Sequence, residues 1–215
     1  MGFPTIYWIN LAHRTDRREH FEGEMEKLKA VIPDLKVHRM DAVAMPKNGA
    51  LGCGMSHIKA LELFMKSEPD AQEVIIMEDD FTFIEPNGAD KCRKGVEKML
   101  GRRIPWDVVL LASNTKILED APQYYLTRIR KAFTTTAYLI NREYVPKLVQ
   151  NLREACTGLI RAGQPVHEFC IDTYWQRLQL EDTWYGLKPL IGFQYPNFSD
   201  IERRYTDYRH LMTNA

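Results

Sequence analysis

A short apolar run that ends in three consecutive acids is the feature that most constrains this sequence. Residues 74–77 read Val-Ile-Ile-Met and are followed at once by Glu78, Asp79 and Asp80. A continuous apolar run of this length is typical of a strand that is buried on both faces, as in a parallel sheet covered by helices. Because such sheets bind ligands beyond the carboxyl ends of their strands, we expect a binding site at the three acids.

The rest of the chain alternates between strand-like and helix-like patterns. Strands are predicted at 5–11, 36–39, 73–77, 106–112, 124–130, 133–140 and 184–194, and helices at 17–29, 88–100, 141–154 and 171–180. Thr15 and Asp16 are predicted to cap the first helix, and Gly52-Cys53-Gly54 to form a turn at the N-terminus of a helix opened by the loop 46–54. This order predicts an α/β fold, a three-layer α/β/α sandwich with a central mixed, mainly parallel sheet.

Length, charge and cysteine content exclude several classes of protein. The 215 residues, 45% of them apolar, suit a single domain. The 29 basic residues balance the 29 acidic ones, which argues against a surface that covers nucleic acid. We expect a cytoplasmic protein with no transmembrane segment or signal peptide, although peripheral membrane contact stays open. The four cysteines form no CxxC pair or His-Cys cluster along the sequence, so we expect reduced thiols and no zinc site.

The acidic run itself suggests a metal site. Adjacent carboxylates repel one another, and a divalent cation relieves that repulsion. Side chains alternate along an extended chain, so Glu78 and Asp80 are predicted to point the same way and Asp79 elsewhere. We interpret Glu78 and Asp80 as ligands of Mn²⁺ or Mg²⁺, as in the DxD motif of nucleotide-sugar enzymes. The alternative is a solvated loop or a helix cap.

Other candidate residues flank this run along the chain. Arg14 and Arg17 follow the first strand and could bind phosphate, or they could belong to an exposed helix face. Ser56 and His57 could hydrogen-bond a nucleotide or sugar, although a lone histidine is more often structural. Asp172 could accept a proton from a sugar or peptide hydroxyl, or it could be a carboxylate that the helix dipole favours at a helix N-terminus.

Taken in order, these segments resemble glycosyltransferase family 25, which includes bacterial lipooligosaccharide galactosyltransferases and the catalytic domains of collagen galactosyltransferases. The resemblance rests on Ile9-Asn10-Leu11 with the arginines of 14–18, on 49–57, on Glu78-Asp79-Asp80, on Thr136-Ala137-Tyr138, and on 196–201 with Ser199-Asp200. It implies a GT-A fold, a UDP-sugar donor, Mn²⁺ or Mg²⁺, and inversion at the anomeric carbon. Ala12-His13 and Tyr195 depart from the family pattern, so donor and acceptor preferences cannot be copied.

Under the mechanism that the resemblance implies, residues can be given expected roles. We infer that Asp172 is the base, because it follows the presumed acceptor-binding half, and that Glu78 and Asp80 are the metal ligands. The residues expected to bind the nucleotide sugar are Asn10, Leu11, Arg14, Arg17, Asp41, Ser56, His57 and Asp79. Within one domain spanning 1–215, the N-terminal part is expected to bind the nucleotide sugar and the C-terminal part the acceptor. This domain could also be part of a longer chain.

The expected activity is metal-dependent, inverting transfer of a galactose- or glucose-type sugar from a UDP-sugar to a hydroxyl of a glycan, lipooligosaccharide or glycoprotein. Two other classes stay open from the sequence. A sugar nucleotidyltransferase would usually show a glycine-rich, basic phosphate-binding signature, which is not present near the first strand. A non-catalytic carbohydrate-binding module would need aromatic platforms, for which Tyr174 and Trp175 are candidates unless they belong to the core.

Overall fold

The computed structural model describes residues 2–102 and 104–213. Its helices and strands follow one another in the order β1 (Ile6–Asn10), α1 (Thr15–Lys29), β2 (Val37–Asp41), α2 (Gly49–Ser67), β3 (Glu73–Glu78), β4 (Phe81–Phe83), α3 (Gly88–Leu100), β5 (Val108–Asp120), β6 (Leu126–Asn141), α4 (Val145–Ala162), α5 (Ile171–Tyr174), α6 (Gln176–Glu181), β7 (Trp184–Leu187), β8 (Gly192–Gln194), β9 (Asn197–Ser199), β10 (Arg204–Thr206) and α7 (Arg209–Met212). Short 3₁₀ helices occupy Arg142–Tyr144 and His167–Phe169.

A six-stranded mixed sheet forms the centre of the fold, in the order β2-β1-β3-β6-β5-β7. Strand β1 runs parallel to β2 and β3, and β5 runs parallel to β7. Strand β6 is antiparallel to β3, β5 and β7. Among the described residues it is therefore the one strand of this sheet that runs opposite to the other five. The prediction of a mixed, mainly parallel sheet is confirmed.

Helices cover both faces of this sheet. On β3, Ile75 and Met77 join a core that includes side chains of α1 and α3. Val74 and Ile76 point to the other face, into a core that includes side chains of α2 and α4. A strand covered on both faces must be apolar at every position, which explains why this run shows no alternation of polar and apolar residues. The predicted three-layer sandwich is confirmed.

Two predicted helix starts are wrong. No side chain caps α1, because the Asp16 carboxylate accepts hydrogen bonds from the Arg14 guanidinium, at 2.9 Å from Nε and 2.8 Å from Nη2. Helix α2 begins at Gly49, where the Asn48 side chain accepts a hydrogen bond from the Leu51 amide at 3.1 Å. The segment 52–54 therefore lies inside the helix and does not form a turn before it.

The second half of the chain also differs from prediction. The strands predicted at 124–130 and 133–140 form one continuous strand, β6, because register shifts let the long β5–β6 pair stay hydrogen-bonded past its irregular positions. The segment 184–194, predicted to contain a strand, contains two, β7 and β8, and β8 pairs with β4 outside the main sheet. The helix predicted at 171–180 divides into α5 and α6, whereas α3 has the predicted bounds 88–100.

Gly52 allows α2 to lie against the loop that precedes it, which gives a first testable prediction. A Cβ at Gly52 would stand 2.6 Å from the Val43 carbonyl oxygen, a backbone atom that cannot swing aside. We expect Gly52→Ala to lower the free energy of unfolding by about 1–3 kcal/mol. A Cβ at the exposed Gly23 in α1 would meet no atom within 4 Å. Gly23→Ala should raise the free energy of unfolding by about 0.5–1 kcal/mol. Urea unfolding of both variants is the measurement, and a Gly52→Ala protein as stable as the wild type would contradict the close approach.

Candidate active site

The three acids lie where β3 leaves the sheet. Glu78 is the last residue of β3, and Asp79 and Asp80 form the turn before β4. Asp79 is 5% exposed and Asp80 is 1% exposed. All three acids line a cavity of about 410 Å³. Such burial is not that of a solvated loop, so the run belongs to an enclosed site.

Specific partners hold Asp79 and Asp80. Asp79 accepts hydrogen bonds from the side-chain amide of Asn10 at 2.7 Å and from Arg17 Nη1 at 3.0 Å. Asp80 Oδ2 accepts a hydrogen bond from the side-chain amide of Gln194 at 2.9 Å and lies 3.5 Å from the same Arg17 nitrogen. Asp80 Oδ1 is buried and has no hydrogen-bond partner within the described chain. The guanidinium of Arg17 therefore compensates part of the acidic charge, and Asp80 Oδ1 remains without a hydrogen-bond partner among the described residues.

Glu78 belongs to a different hydrogen-bond network. Its Oε1 accepts a hydrogen bond from the Thr135 hydroxyl and lies 3.1 Å from His57 Nε2. His57 is buried, and its Nδ1 lies 3.0 Å from the Tyr138 hydroxyl. Because an ionised carboxylate only accepts hydrogen bonds, Nε2 carries a proton here. His57 therefore orients Glu78.

Burial and charge set the pKa values of the acids in opposite directions. Burial, reinforced by the charges of Glu78 and Asp79 and opposed by Arg17, raises the pKa of Asp80 to about 7. Burial also raises the pKa of Asp79, against the effect of Arg17. Burial acts the same way on Glu78, but the hydrogen bond and charge of His57 outweigh it and leave the pKa of Glu78 lowered. Near neutral pH Asp80 is therefore only partly ionised, and a bound cation would favour its ionised form.

These carboxylates fit a divalent cation. Mn²⁺ and Mg²⁺ prefer hard oxygen ligands, and Asp80 Oδ1 is a buried carboxylate oxygen without a partner among the described residues. Glu78 lines the same cavity. The donor set therefore agrees with the pair predicted to bind the metal, and that assignment stays a prediction.

A second group of possible ligands lies beside the acids. Single ligand atoms of Cys53, His57 and Glu78 lie within 4.8 Å of one another, a cluster that the spacing along the sequence does not reveal. Both ring nitrogens of His57 already have partners. Burial and then the charge of Glu78 raise the pKa of the Cys53 thiol well above its usual range, which disfavours the thiolate that a metal needs. We therefore favour the carboxylates as metal ligands.

The two ends of the chain meet at this cavity. The hairpin β9–β10 forms one wall, with Phe198 lining the space. Arg14 pairs with Asp200 and donates to the Phe198 carbonyl at 3.0 Å. Arg17 Nε donates to the Asn197 side chain at 2.8 Å. The arginines after β1 thus link the acidic turn and the C-terminal hairpin.

Five of the residues predicted to bind the nucleotide sugar line the cavity, namely Leu11, Arg17, Ser56, His57 and Asp79. The hydroxyl of Ser56 already has two partners, since it donates to the Gly52 carbonyl at 2.6 Å and accepts from the Val43 amide at 2.8 Å. Ser56 therefore fastens the loop 42–46 to α2, and direct contact with a ligand stays a prediction.

The other three residues predicted to bind the nucleotide sugar stand behind the cavity wall. Asn10 contacts Asp79, as described above. The side chain of Arg14 is buried, and its guanidinium donates to the carboxylates of Asp16 and Asp200 and to the Phe198 carbonyl. Asp41 is exposed and pairs with Arg39 at 2.7 Å. In the described structure these residues support the site from outside the cavity, and their contact with a nucleotide stays a prediction.

Asp172 lies in a second cavity of about 530 Å³. This cavity shares Cys53, Glu78, Gln194, Ser199 and Ile201 with the first, so the two spaces meet between the end of β3 and the C-terminal hairpin. Asp172 Oδ2 accepts a hydrogen bond from the Thr134 amide at 3.2 Å. Burial, opposed by that hydrogen bond and reinforced by the charge of Glu78, raises the pKa of Asp172. A raised pKa suits a group that accepts a proton.

The core tryptophan Trp175 and two polar residues of the site differ from what the sequence predicts. Trp175 is 1% exposed and packs in the core against Trp184, so its interpretation as a sugar platform is wrong. Sequence reasoning missed Gln194 and Thr135, which hold Asp80 and Glu78. Single polar residues in strand-like segments carry no signal that could have identified them, since their role depends on contacts distant in sequence.

The pKa of Asp80 leads to a second testable prediction. The folded protein binds this proton more tightly than the unfolded chain does, so without metal its stability should fall as pH rises from 3.8 to about 7. Because the Asn in Asp80→Asn cannot ionise, the free energy of unfolding of this variant at pH 8 without metal should exceed that of the wild type by about 1–3 kcal/mol. Thermal unfolding in EDTA between pH 5 and pH 8 measures this, with the exposed Asp70→Asn as control. If the stability of Asp80→Asn changed with pH as steeply as that of the wild type, the raised pKa would not belong to Asp80.

Comparison with known proteins agrees with the architecture. No protein-family model matches the chain. In sequence it is 23% identical over 197 residues to a Bos taurus protein named "Probable inactive glycosyltransferase 25 family member 3", covering 79% of this chain and 31% of that protein. The chain thus spans about a third of the length of this relative. No helix in the described residues combines the length and apolar character needed to cross a membrane.

Solved structures show the same fold. A glycosyltransferase involved in the glycosylation of the major capsid of PBCV-1 matches with a TM-score of 0.59 and 8% identity, covering 97% of this chain and 98% of that one. A197 from STIV matches with a TM-score of 0.51 and 12% identity, covering 94% and 92% of the two chains. The resemblance seen in the sequence is therefore confirmed at the level of similarity: this chain is similar in sequence to a protein named as a glycosyltransferase 25 family member, and it has the α/β fold of GT-A-type glycosyltransferases.

Proposed function

We propose that this protein is a metal-dependent, inverting glycosyltransferase. It would transfer a galactose- or glucose-type sugar from a UDP-sugar to a hydroxyl of a glycan, lipooligosaccharide or glycoprotein. One observation carries the proposal, namely that two cavities meet at the end of β3, where Glu78 lines both. A group transfer between two substrates needs this arrangement, with one space for the donor, one for the acceptor and the reacting atoms between them.

The first cavity has the mixed character that a nucleotide diphosphate requires. Ile9, Leu11 and Phe198 supply apolar wall that suits a nucleoside. Arg203 also lines it and could bind the diphosphate through its guanidinium group, whereas the guanidinium of Arg17, which lines it too, is already held by Asp79 and Asn197. The loop 42–46, which Ser56 ties to α2, closes the apolar side.

Glu78 and Asp80 would hold Mn²⁺ or Mg²⁺ in this proposal. When bound, the ion would supply Lewis-acid stabilisation of the negative charge that develops on the departing diphosphate. Asn10 fixes the neighbouring Asp79, and His57 fixes Glu78, so the carboxylates are oriented before a ligand arrives. Such preorganisation lowers the cost of stabilising charge in the transition state.

Asp172 would remove the proton from the acceptor hydroxyl. Inversion requires the attacking hydroxyl to approach opposite the leaving diphosphate, so the base must stand on the acceptor side. Asp172 lines the second cavity and does not line the first. The Thr134 amide holds its carboxylate in place, and its raised pKa strengthens it as a base compared with an ordinary aspartate.

The alternative classes have less support. A nucleotidyltransferase would be expected to carry a glycine-rich phosphate loop, and the segment between β1 and α1 reads Leu-Ala-His-Arg. A carbohydrate-binding module has no need of buried, partly unpaired carboxylates, and its proposed platform Trp175 is in the core. The relative named as inactive does not decide the matter, because this chain has its own acidic turn and its own Asp172.

The proposal is tested by incubating the protein with UDP-galactose, UDP-glucose, GDP-mannose and CMP-sialic acid in the presence of Mn²⁺. Release of free nucleotide and its dependence on added acceptor are measured. We expect release of UDP from one or both UDP-hexoses, abolished by EDTA. Turnover of a non-uridine donor alone, or release that EDTA does not affect, would overturn the proposal.

A further inference from the structure

The second cavity has a chemistry of its own beyond Asp172. It lies between the start of α5 and the middle of β6, and three consecutive threonines of β6, Thr134, Thr135 and Thr136, line it. Asn114 of β5 lines it as well. The walls therefore offer hydroxyl and amide groups in a concentrated patch, next to the point where the two cavities meet.

Three of these polar groups lack partners. Asn114 Oδ1, Thr134 Oγ1 and Thr136 Oγ1 are buried and make no hydrogen bond within the described chain. Thr136 is 1% exposed. A buried polar atom without a partner destabilises the fold, and a bound ligand with matching hydroxyl groups would remove that cost. Three residues that line one cavity each carry such an atom, which suggests a ligand rich in hydroxyl groups.

The backbone at this cavity is strained. Thr134 has φ 70°, a left-handed conformation that is unfavourable for a β-branched residue. In this conformation its amide donates a hydrogen bond to Asp172. Strained residues concentrate at functional sites because the surrounding structure imposes them. Thr134 thus aligns the carboxylate with the same wall that presents the unpaired hydroxyls.

The charges of the two cavities differ. Arg17 and Arg203 line the first cavity. The carboxylates of Glu78, Asp172 and Glu202 line the second, where Glu202 is paired with Arg204 at 2.6 Å. Over residues 2–102 and 104–213 no lysine or arginine lines this cavity, and His167 is the one side chain of its lining that could carry a positive charge. A phosphate or carboxylate in the second cavity would therefore meet the charges of Glu78 and Asp172 with no lysine or arginine beside it.

We propose that the second cavity is a subsite for an uncharged pyranose ring, bound through the groups of Asn114, Thr134 and Thr136, and that it excludes rings that carry a carboxylate or phosphate. The inference rests on the proposed function, because it assigns this ring to the acceptor. It narrows the acceptor to a neutral sugar and identifies the residues that select it.

A panel of small glycosides tests the charge selectivity. Binding is measured by saturation-transfer NMR on the protein loaded with UDP and Mn²⁺, using methyl α- and β-glycosides of glucose, galactose, mannose and N-acetylglucosamine, and the corresponding uronates and 6-phosphates. At least one neutral glycoside should bind at least about 10-fold more tightly than its charged counterparts. Equal or tighter binding of the charged compounds, or binding of no neutral glycoside, would overturn the inference.

Two matched substitutions test the residues. Thr136→Val removes an unpaired hydroxyl with little change of shape, and we expect neutral-glycoside binding to weaken about 5–10-fold. Thr173→Val removes a hydroxyl that is also buried and unpaired among the described residues but lies outside the cavity lining, so binding should not change. Wild-type binding in Thr136→Val would contradict the assignment.

A further variant and a control separate the possible failures. If Thr136→Val does not fold, Asn114→Ala, at a less buried position of the same wall, replaces it with the same expected loss. UDP binding with Mn²⁺ is measured in parallel for every variant. Its absence in the wild type would refute the proposed function, whereas normal UDP binding without neutral-sugar selectivity would refute this inference alone.

Discussion

Asp80→Asn should reduce sugar transfer by about 10³-fold, because a metal ligand that stabilises the leaving diphosphate contributes several kcal/mol to the transition state. The substitution keeps the size of the side chain and its place beside Gln194, but it removes the charge of the carboxylate whose Oδ1 has no protein partner within the described residues. Single-turnover transfer in saturating Mn²⁺ is the measurement. Loss of rate should be accompanied by loss of metal-dependent UDP binding.

Unfolding cannot explain this loss, because the same variant is expected to be more stable than the wild type at pH 8 without metal. A substitution that lowers activity while raising stability is typical of a functional site that keeps an unfavourable charge for its chemistry. Asp70→Asn, at an exposed position before β3, should leave transfer unchanged. An Asp80→Asn enzyme with more than about a tenth of wild-type activity would contradict the role of Asp80 in metal binding.

Asp172→Asn should lower kcat by about 10²- to 10⁴-fold and leave metal-dependent UDP binding intact, since a general base acts on the acceptor and not on the donor. Asn cannot take up a proton but can still accept the hydrogen bond from the Thr134 amide. The residual rate should lose the pH dependence that the wild type owes to this carboxylate. Steady-state kinetics across pH, together with UDP titration, are the measurements.

Glu168→Gln is the matched control for Asp172, because Glu168 is an exposed acid in the preceding 3₁₀ helix. It should behave as the wild type in both assays. If Asp172→Asn weakened UDP binding as much as it lowered kcat, its role would lie in the structure of the donor site. If both variants lost activity to the same extent, a general loss of negative charge would explain the data better than a base.

The central layer of the fold was predictable because its signals are local. The apolar run of β3 and the acids that end it follow one another in sequence, and an amphipathic pattern marks α3. The position of Gly52 was misjudged because glycine commonly marks turns, whereas here it permits the contact between α2 and the Val43 carbonyl. The break predicted at 131–132 is absent from β6, because Lys131 and Ala132 pair with Ile117 and Thr115 of β5 and keep the strand continuous.

The chemistry of the site was predictable only in part. The acids stand together in the sequence, so their clustering needed no tertiary information. The links from Arg14 to Asp200 and from Arg17 to Asn197 join residues 186 and 180 positions apart and depend on the complete fold. The environment of Asp172 likewise depends on a strand 38 residues away in the chain.

Calorimetric titration of UDP in the presence of Mn²⁺ or EDTA, with the wild type and Asp80→Asn, tests the central claim most directly. We predict that UDP binds the wild type with Mn²⁺, that EDTA weakens this binding by at least about 10-fold, and that Asp80→Asn binds weakly in both conditions. Binding of equal strength with Mn²⁺ and with EDTA, unchanged by Asp80→Asn, would contradict a metal-dependent nucleotide-sugar site at the acidic turn.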